Sequence, residues 1–216
     1  MFITFEGIEG CGKTTQIRLL GKRLNHHSIP HIITLEPGGT RIGKRIRDVL
    51  LDSGNKDICT LAELLLYEAD RAQHVEEVIN PALKLGKWVI CDRFFDATTV
   101  YQGAARGHEM EFIRILNEKV TKGVRPHMTF LLDCPVEIGL KRAIDRNAGQ
   151  EVGRMDRFER ERIDFHLRVR EGYLRLAEAE KRRFFIIDAS RSVQEVESMI
   201  LSALQPNIMK EKPRTE

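Results

Sequence analysis

The sequence predicts an α/β fold built on a parallel sheet, and three observations carry that expectation. Short apolar runs recur along the 216 residues at 2–5, 32–35, 88–91, 128–132 and 184–187. They are continuous rather than alternating, the pattern of strands buried on both faces. Long stretches of helical periodicity separate them, as parallel strands require of their connections. The expected architecture is a five-stranded parallel sheet with helices on both faces, as one domain over about 1–205.

The first strand leads into Gly7-Ile8-Glu9-Gly10-Cys11-Gly12-Lys13-Thr14, which fits G-x-x-x-x-G-K-[ST] in full, and Thr15 opens an amphipathic helix. Strand, motif and helix in that order make a phosphate-binding loop. Its glycines let successive N–H groups turn toward phosphate oxygens, and the helix N-terminus adds its dipole. Lys13 is expected at the β/γ-phosphates and the Thr14 hydroxyl on Mg²⁺.

After the second strand, Glu36-Pro37-Gly38-Gly39-Thr40 sets a tight turn with Arg41, Arg45 and Arg47 beyond it. A helical stripe then runs through 60–85, in which Tyr67 and Arg71, four apart, share a face. A ring beside a guanidinium can form a platform for a planar base.

The third strand ends in Asp92-Arg93. Strand carboxyl ends face the ligand crevice in open α/β sheets. Asp92 is therefore placed as a carboxylate that holds or orients Mg²⁺, and Arg93 as a two-pronged clamp for a second phosphate. The stretch 94–103 is rich in hydroxyl and amide groups.

Residues 146–157 are polar and glycine-containing, with Arg146, Arg154 and Arg157, and read as a cationic lid. A long helix is expected over about 158–182. The last apolar content fades from Pro206, so 206–216 reads as a frayed tail.

Composition narrows the partners. Lys and Arg total 35 against 32 Asp and Glu, a net charge of +3, too balanced to point to nucleic acid. Four scattered cysteines without a C-x-x-C pair suggest reduced thiols and no zinc site. With no apolar run near 18 residues and no basic-then-apolar leader, the expectation is a cytoplasmic protein without a membrane anchor. A regulatory GTP switch needs N-K-x-D, and Asn55-Lys56-Asp57-Ile58 has Ile where the Asp is required.

Taken together, these segments resemble the bacterial thymidylate kinases, P-loop enzymes that phosphorylate dTMP with ATP and Mg²⁺. The resemblance rests on F-E-G-x-E-G-x-G-K-T-T at 5–15, E-P-G-G-T at 36–40, Tyr67-x-x-x-Arg71, and Asp92-Arg93 with Tyr101-Gln102-Gly103. Arg125-Pro126, Gly139-Leu140-Lys141-Arg142-Ala143 and Asp156-Arg157-Phe158-Glu159 continue it in order, so it spans about 2–204. It implies the three-layer P-loop NTPase fold, ATP as donor, dTMP as acceptor, Mg²⁺, and a homodimer packed through helices.

By position, the resemblance implies that Gly7 to Thr15 cradle ATP and Arg142 lies against its adenine, near the Asp188-Ala189-Ser190 turn. Glu9 would face the acceptor sugar near its 3′-hydroxyl, and Tyr101 would disfavour a 2′-hydroxyl. Tyr67 would stack on thymine, with Arg71, Thr98 and Gln102 reading its edge. Glu36 joins the dTMP set, and Arg47 and Arg93 would bind the dTMP phosphate. Position 10 is Gly rather than Arg, so the catalytic charge would come from the lid. Arg146 fits best, with Arg154 and Arg157 as substitutes. The sequence departs from the family pattern at Leu35, Tyr67 and Thr98, where Arg, Phe and Ser are usual.

Overall fold

The structure, a computed structural model, describes residues 1–148, 157–159 and 161–211, with the side chains of 146–148 and 211 outside the description. Each expected strand run lies inside an observed strand: β1 Phe2–Glu6, β2 His31–Leu35, β3 Trp88–Asp92, β4 Met128–Asp133 and β5 Phe184–Asp188. The sheet has five strands in the order β2-β3-β1-β4-β5, and every pairing is parallel.

The connections are helical. They comprise α1 Lys13–His26, α2 Arg41–Leu51, α3 Thr60–His74, α4 Asn80–Lys84, α5 Phe95–Thr98, α6 Met110–Thr121, α7 Val136–Ala148, α8 Ile163–Ala179 and α9 Val193–Glu211. A π turn, Val75–Ile79, joins α3 to α4, and a second, Thr99–Ala105, continues α5. Pleating divides the core between the two faces of the sheet. Ile3, Phe5, Trp88, Ile90 and Phe130 turn into the larger cluster with α1, α8 and α9. Phe2, Val89 and Cys91 turn the other way, against Val75 and Ile79.

Two expectations change. α8 begins at Ile163 rather than near 158, because 157–159 form a turn docked elsewhere. The tail expected from Pro206 is helical to Glu211, inside α9. A proline in a helix interior removes one backbone bond, yet Leu204 and Ile208 on either side of it are buried in the core. Asn207 Nδ2 also reaches Met128 Sδ at 3.5 Å. Packing overrides the local breaker.

The 60–85 stripe also divides. Leu64, Val75 and Ile79 are buried, but Leu61 and Leu65 are exposed, while Glu63, Glu68, Asp70, Arg71 and His74 point inward. α3 thus turns several charged residues inward and two of its leucines, Leu61 and Leu65, outward.

Candidate active site

β1 and β3 are neighbours whose carboxyl ends open together, placing the glycine loop beside Asp92 and Arg93. Gly7, Gly10 and Gly12 have φ of 134°, 70° and 98°, a curl that side chains resist. Gly10 has a further reason to be bare. A Cβ there would collide with the carbonyl oxygen of Gly139 on α7. The loop therefore cannot carry an arginine at position 10 without moving α7.

Lys13 is buried, its ammonium donating to the carbonyls of Gly7 (3.0 Å) and Ile8 (2.9 Å). The Thr14 hydroxyl donates to Asp92 Oδ2 at 3.1 Å, so the two expected metal-holding oxygens are adjacent. Mg²⁺ takes few protein oxygens and completes its octahedron with water and phosphate. A hydroxyl and a carboxylate side by side fit that demand. Among the described residues, no cluster of three or more His, Cys, Asp or Glu offers an alternative metal site.

Two cavities meet at the loop. One of about 840 Å³ is lined by residues 10–15 with Arg18, Arg47, Arg142, Arg191 and Val193. Arg142 Nη1 donates to the Ala189 carbonyl at 2.8 Å, so the α7 arginine and the 188–190 turn do come together. The other, of about 290 Å³, is lined by Glu9, Lys13, Thr14, Glu36, Arg47, Asp92, Arg93 and Glu159. Lys13 and Arg93 thus border one space. Arg47 borders both cavities, and its Nη1 donates to the Pro37 carbonyl at 2.8 Å.

Arg93 has φ of 69°, a conformation most side chains avoid and one that recurs where function demands it. Its Nη2 donates to Glu9 Oε1 at 3.0 Å and its Nη1 to the Tyr173 hydroxyl at 3.1 Å. The guanidinium carbon lies 4.9 Å from the centre of the Tyr101 ring. Tyr101 donates to the same Glu9 oxygen at 2.6 Å. Burial opposes ionisation of Glu9, but His166, Arg93, Lys13 and Tyr101 outweigh it and hold its carboxyl below the usual range.

Behind Arg93, Glu6 accepts from the Tyr173 hydroxyl (2.7 Å) and the Phe94 amide (2.8 Å). Burial, then the nearby Asp96, push Glu6 up to about 8 against the pull of Arg93.

The residues expected to read the base are buried: Arg71, Thr98 and Gln102 are each 1% exposed. All five Arg71 donors are engaged. Nε donates to Glu36 Oε2 (2.9 Å) and Nη1 to Glu68 Oε1 (2.7 Å) and Asn117 Oδ1 (3.1 Å). Nη2 donates to Thr98 Oγ1 (2.9 Å) and the Phe94 carbonyl (3.3 Å). Gln102 Nε2 is given to Glu63 at 2.9 Å. Glu36 is shared with His74 at 2.8 Å. Phe158 lies between the two tyrosines, its ring centre 6.3 Å from that of Tyr67 and 5.7 Å from that of Tyr101.

Arg157, a candidate substitute for the lid charge, is held on this side instead. Its Nε donates to the Leu50 carbonyl at 3.1 Å and its Nη2 pairs with Glu63 at 2.6 Å. The Arg146 side chain and all of Arg154 lie outside the described residues. Glu63, Glu68, Asn117, Tyr173 and His166 belong to no motif and were missed. Inward charges on α3 are the one signal that a wider search could have used.

The thymidylate kinase family matches residues 5–200. This chain belongs to the thymidylate kinase family. Among named relatives, the thymidylate kinase of Geotalea uraniireducens is 54% identical over 203 residues, covering 94% of this chain and 95% of its own length. That of Syntrophus aciditrophicus is 48% identical over 213 residues, 98% and 96% of the two chains. That of Geobacter sp. strain M21 is 52% identical over 204 residues, 94% and 91%.

Proposed function

We propose that this protein transfers the γ-phosphoryl of ATP to dTMP, giving dTDP and ADP for dTTP biosynthesis. One observation carries the reading beyond family membership. Lys13 and Thr14 of the loop line the same cavity as Arg47 and Arg93, so cations for two anions border one space.

The roles follow from that arrangement. Residues 7–15 hold the ATP phosphates and Arg142 backs the adenine, in the larger cavity that they line. Arg47 and Arg93 hold the dTMP phosphate, and Glu9 and Tyr101 face its sugar. Tyr67, Arg71, Thr98, Gln102 and Glu36 form the base side. Thr14 and Asp92 would hold Mg²⁺, which when bound would offset the negative charge of the donor phosphates.

The acceptor oxygen is already anionic, so no general base is needed. Lys13 and Arg93 align the two phosphates and offset their repulsion, with Arg146 bringing further charge from a lid at 146–157. The chain acts as one kinase domain, which includes α9 to Glu211.

The working form is a homodimer. Ile42 and Val49 on α2, Leu61 and Leu65 on α3, and Met110, Phe112 and Ile115 on α6 are all exposed. An outward apolar set on three packed helices favours a partner copy. No helix among the described residues is long and apolar enough to cross a membrane; a cytoplasmic location fits the free cysteines.

Turnover of dTMP, dUMP, UMP and thymidine with ATP, compared at equal concentration, tests the reading. Preference for dTMP is the expected result. Faster turnover of thymidine or UMP would replace it with another small kinase, and sedimentation at a monomer mass would remove the dimer.

A further inference from the structure

His166 lies in the first turn of α8, outside every motif, and is 0% exposed. Its Nδ1 is 3.3 Å from Glu9 Oε2. That carboxylate is divided front and back. Oε1 meets Arg93 and Tyr101 at the cavity, while Oε2 is shut off from water with the imidazole 3.3 Å away. Neither His166 nitrogen nor Oε2 makes a hydrogen bond of good geometry among the described residues, so the 3.3 Å approach is a close polar contact rather than a formed bond. A buried imidazole 3.3 Å from a site carboxylate is poorly explained as core filling, since an apolar side chain would avoid the desolvation.

We propose that His166 is a positioning residue for the acceptor nucleotide: it pins Glu9 from behind, so that Oε1 is presented with Arg93 and Tyr101 to the acceptor's 3′-hydroxyl. This rests on the dTMP reading of Glu9 above. The terminal torsion of a glutamate is broad and roughly two-fold, so a carboxylate gripped at one oxygen can swing. Held at both, by Arg93 just after β3, by Tyr101 in the π turn and by His166 on α8, it cannot. Loss of about an ångström of registry in such a site is costly. Glu9 therefore recognises the sugar only while α8 is docked, which links acceptor binding to the helix that follows the lid segment.

The test is steady-state kinetics of the full chain with dTMP and with 3′-deoxythymidine monophosphate at saturating ATP. His166→Leu removes the donor. His166→Asn returns an N–H near the Nδ1 position, whereas His166→Gln returns one nearer Nε2. The expected result is that His166→Leu raises KM for dTMP about tenfold, the scale of a hydrogen bond to a charged group. It should also erase the preference for the 3′-hydroxyl and leave KM for ATP within about twofold. His166→Asn should restore both dTMP terms. Wild-type KM and 3′-hydroxyl preference in His166→Leu would overturn the inference. Equal loss in all three variants would do the same, because it marks a packing role. If His166→Leu does not fold, Asn and Gln decide alone: Asn better supports the inference, and parity overturns it. Failure of the wild type on dTMP would instead sink the function beneath it, and this inference with it.

Discussion

The two halves of the site are built in opposite ways. The half proposed for the donor is main chain: residues 7–14 in sequence, three glycines at positive φ, and a cavity of about 840 Å³ beside them. The half proposed for the acceptor base is mostly side chain: Arg71 draws its partners from 36, 68, 94, 98 and 117, and almost none of it meets water. Phosphates are alike in every nucleotide, so a local loop of amides suffices. Choosing one base calls for polar groups fixed by the whole fold, and such groups pay off only when each has its partner.

Mutating the hinge between the halves should have the largest effect. Arg93→Ala is expected to lower kcat/KM for dTMP on the order of 10³-fold, while ATP binding, followed by equilibrium titration, persists. Retained turnover would put the phosphate clamp elsewhere. Loss of ATP binding as well would erase the distinction between the halves.

Arg71→Met comes next, and it should register in stability as well as in kinetics. It leaves Glu36 and Glu68 as buried carboxylates without their cation. Breaking a buried pair from one side costs about 3 kcal/mol or more, readable as a lower midpoint in urea. Burial leaves Glu68 raised despite Arg71, so removing that arginine should drive it further toward the neutral form. An unchanged midpoint would mean that the network is ornamental to the fold.

Glu6→Gln probes the wall behind Arg93 through pH. Glu6 titrates near 8 when folded against an ordinary 4.5. Between those values the folded state holds the extra proton, so stability must fall as pH rises, fully present below about 4.5 and lost above about 8. The glutamine should flatten that decline. Asp70, raised to about 6 by burial and then Glu36, leaves a smaller slope of the same sign between 3.8 and 6. Thermal midpoints from pH 4 to 9 for both proteins measure it; parallel curves would show that Glu6 is ionised throughout.

The same contrast explains what was legible in the sequence. The sheet could be read because each strand is a contiguous apolar run, and the loop because its spacing is local. Asp92 and Arg93 followed from the rule for strand ends. Arg71 was singled out by its spacing from Tyr67, and Thr98 and Gln102 through resemblance, but nothing local tells that these groups are spent on Glu36, Glu63, Glu68, Phe94 and Asn117, and Arg71 on Thr98, across 3 to 46 residues of separation. Gly139 was quoted within a motif without its purpose, which appears only once α7 lies against Gly10. The leucines of α3 divide in a related way, Leu64 buried and Leu61 and Leu65 exposed. Helical spacing marks an apolar face and cannot say whether the fold or a second copy covers it.

The smallest expected effect concerns how the base half opens. Since Arg71, Thr98 and Gln102 expose about 1% each, a base that touches them must displace what covers them. Phe158 packs on both Tyr67 and Tyr101, within a turn whose Arg157 is anchored to Leu50 and Glu63. A ring stacked on Tyr67 competes with Phe158 for that space. Of the Arg71 bonds, the one to the Phe94 carbonyl, at 3.3 Å, is the longest and the cheapest to exchange for a base carbonyl. Phe158→Ala should therefore lower KM for dTMP about threefold, with KM for ATP unchanged, because one covering contact of roughly 0.5–1 kcal/mol no longer has to be broken. A rise in KM instead would make Phe158 a wall of the base pocket rather than its cover, and the acceptor half would then be assembled, like the donor half, before its ligand arrives.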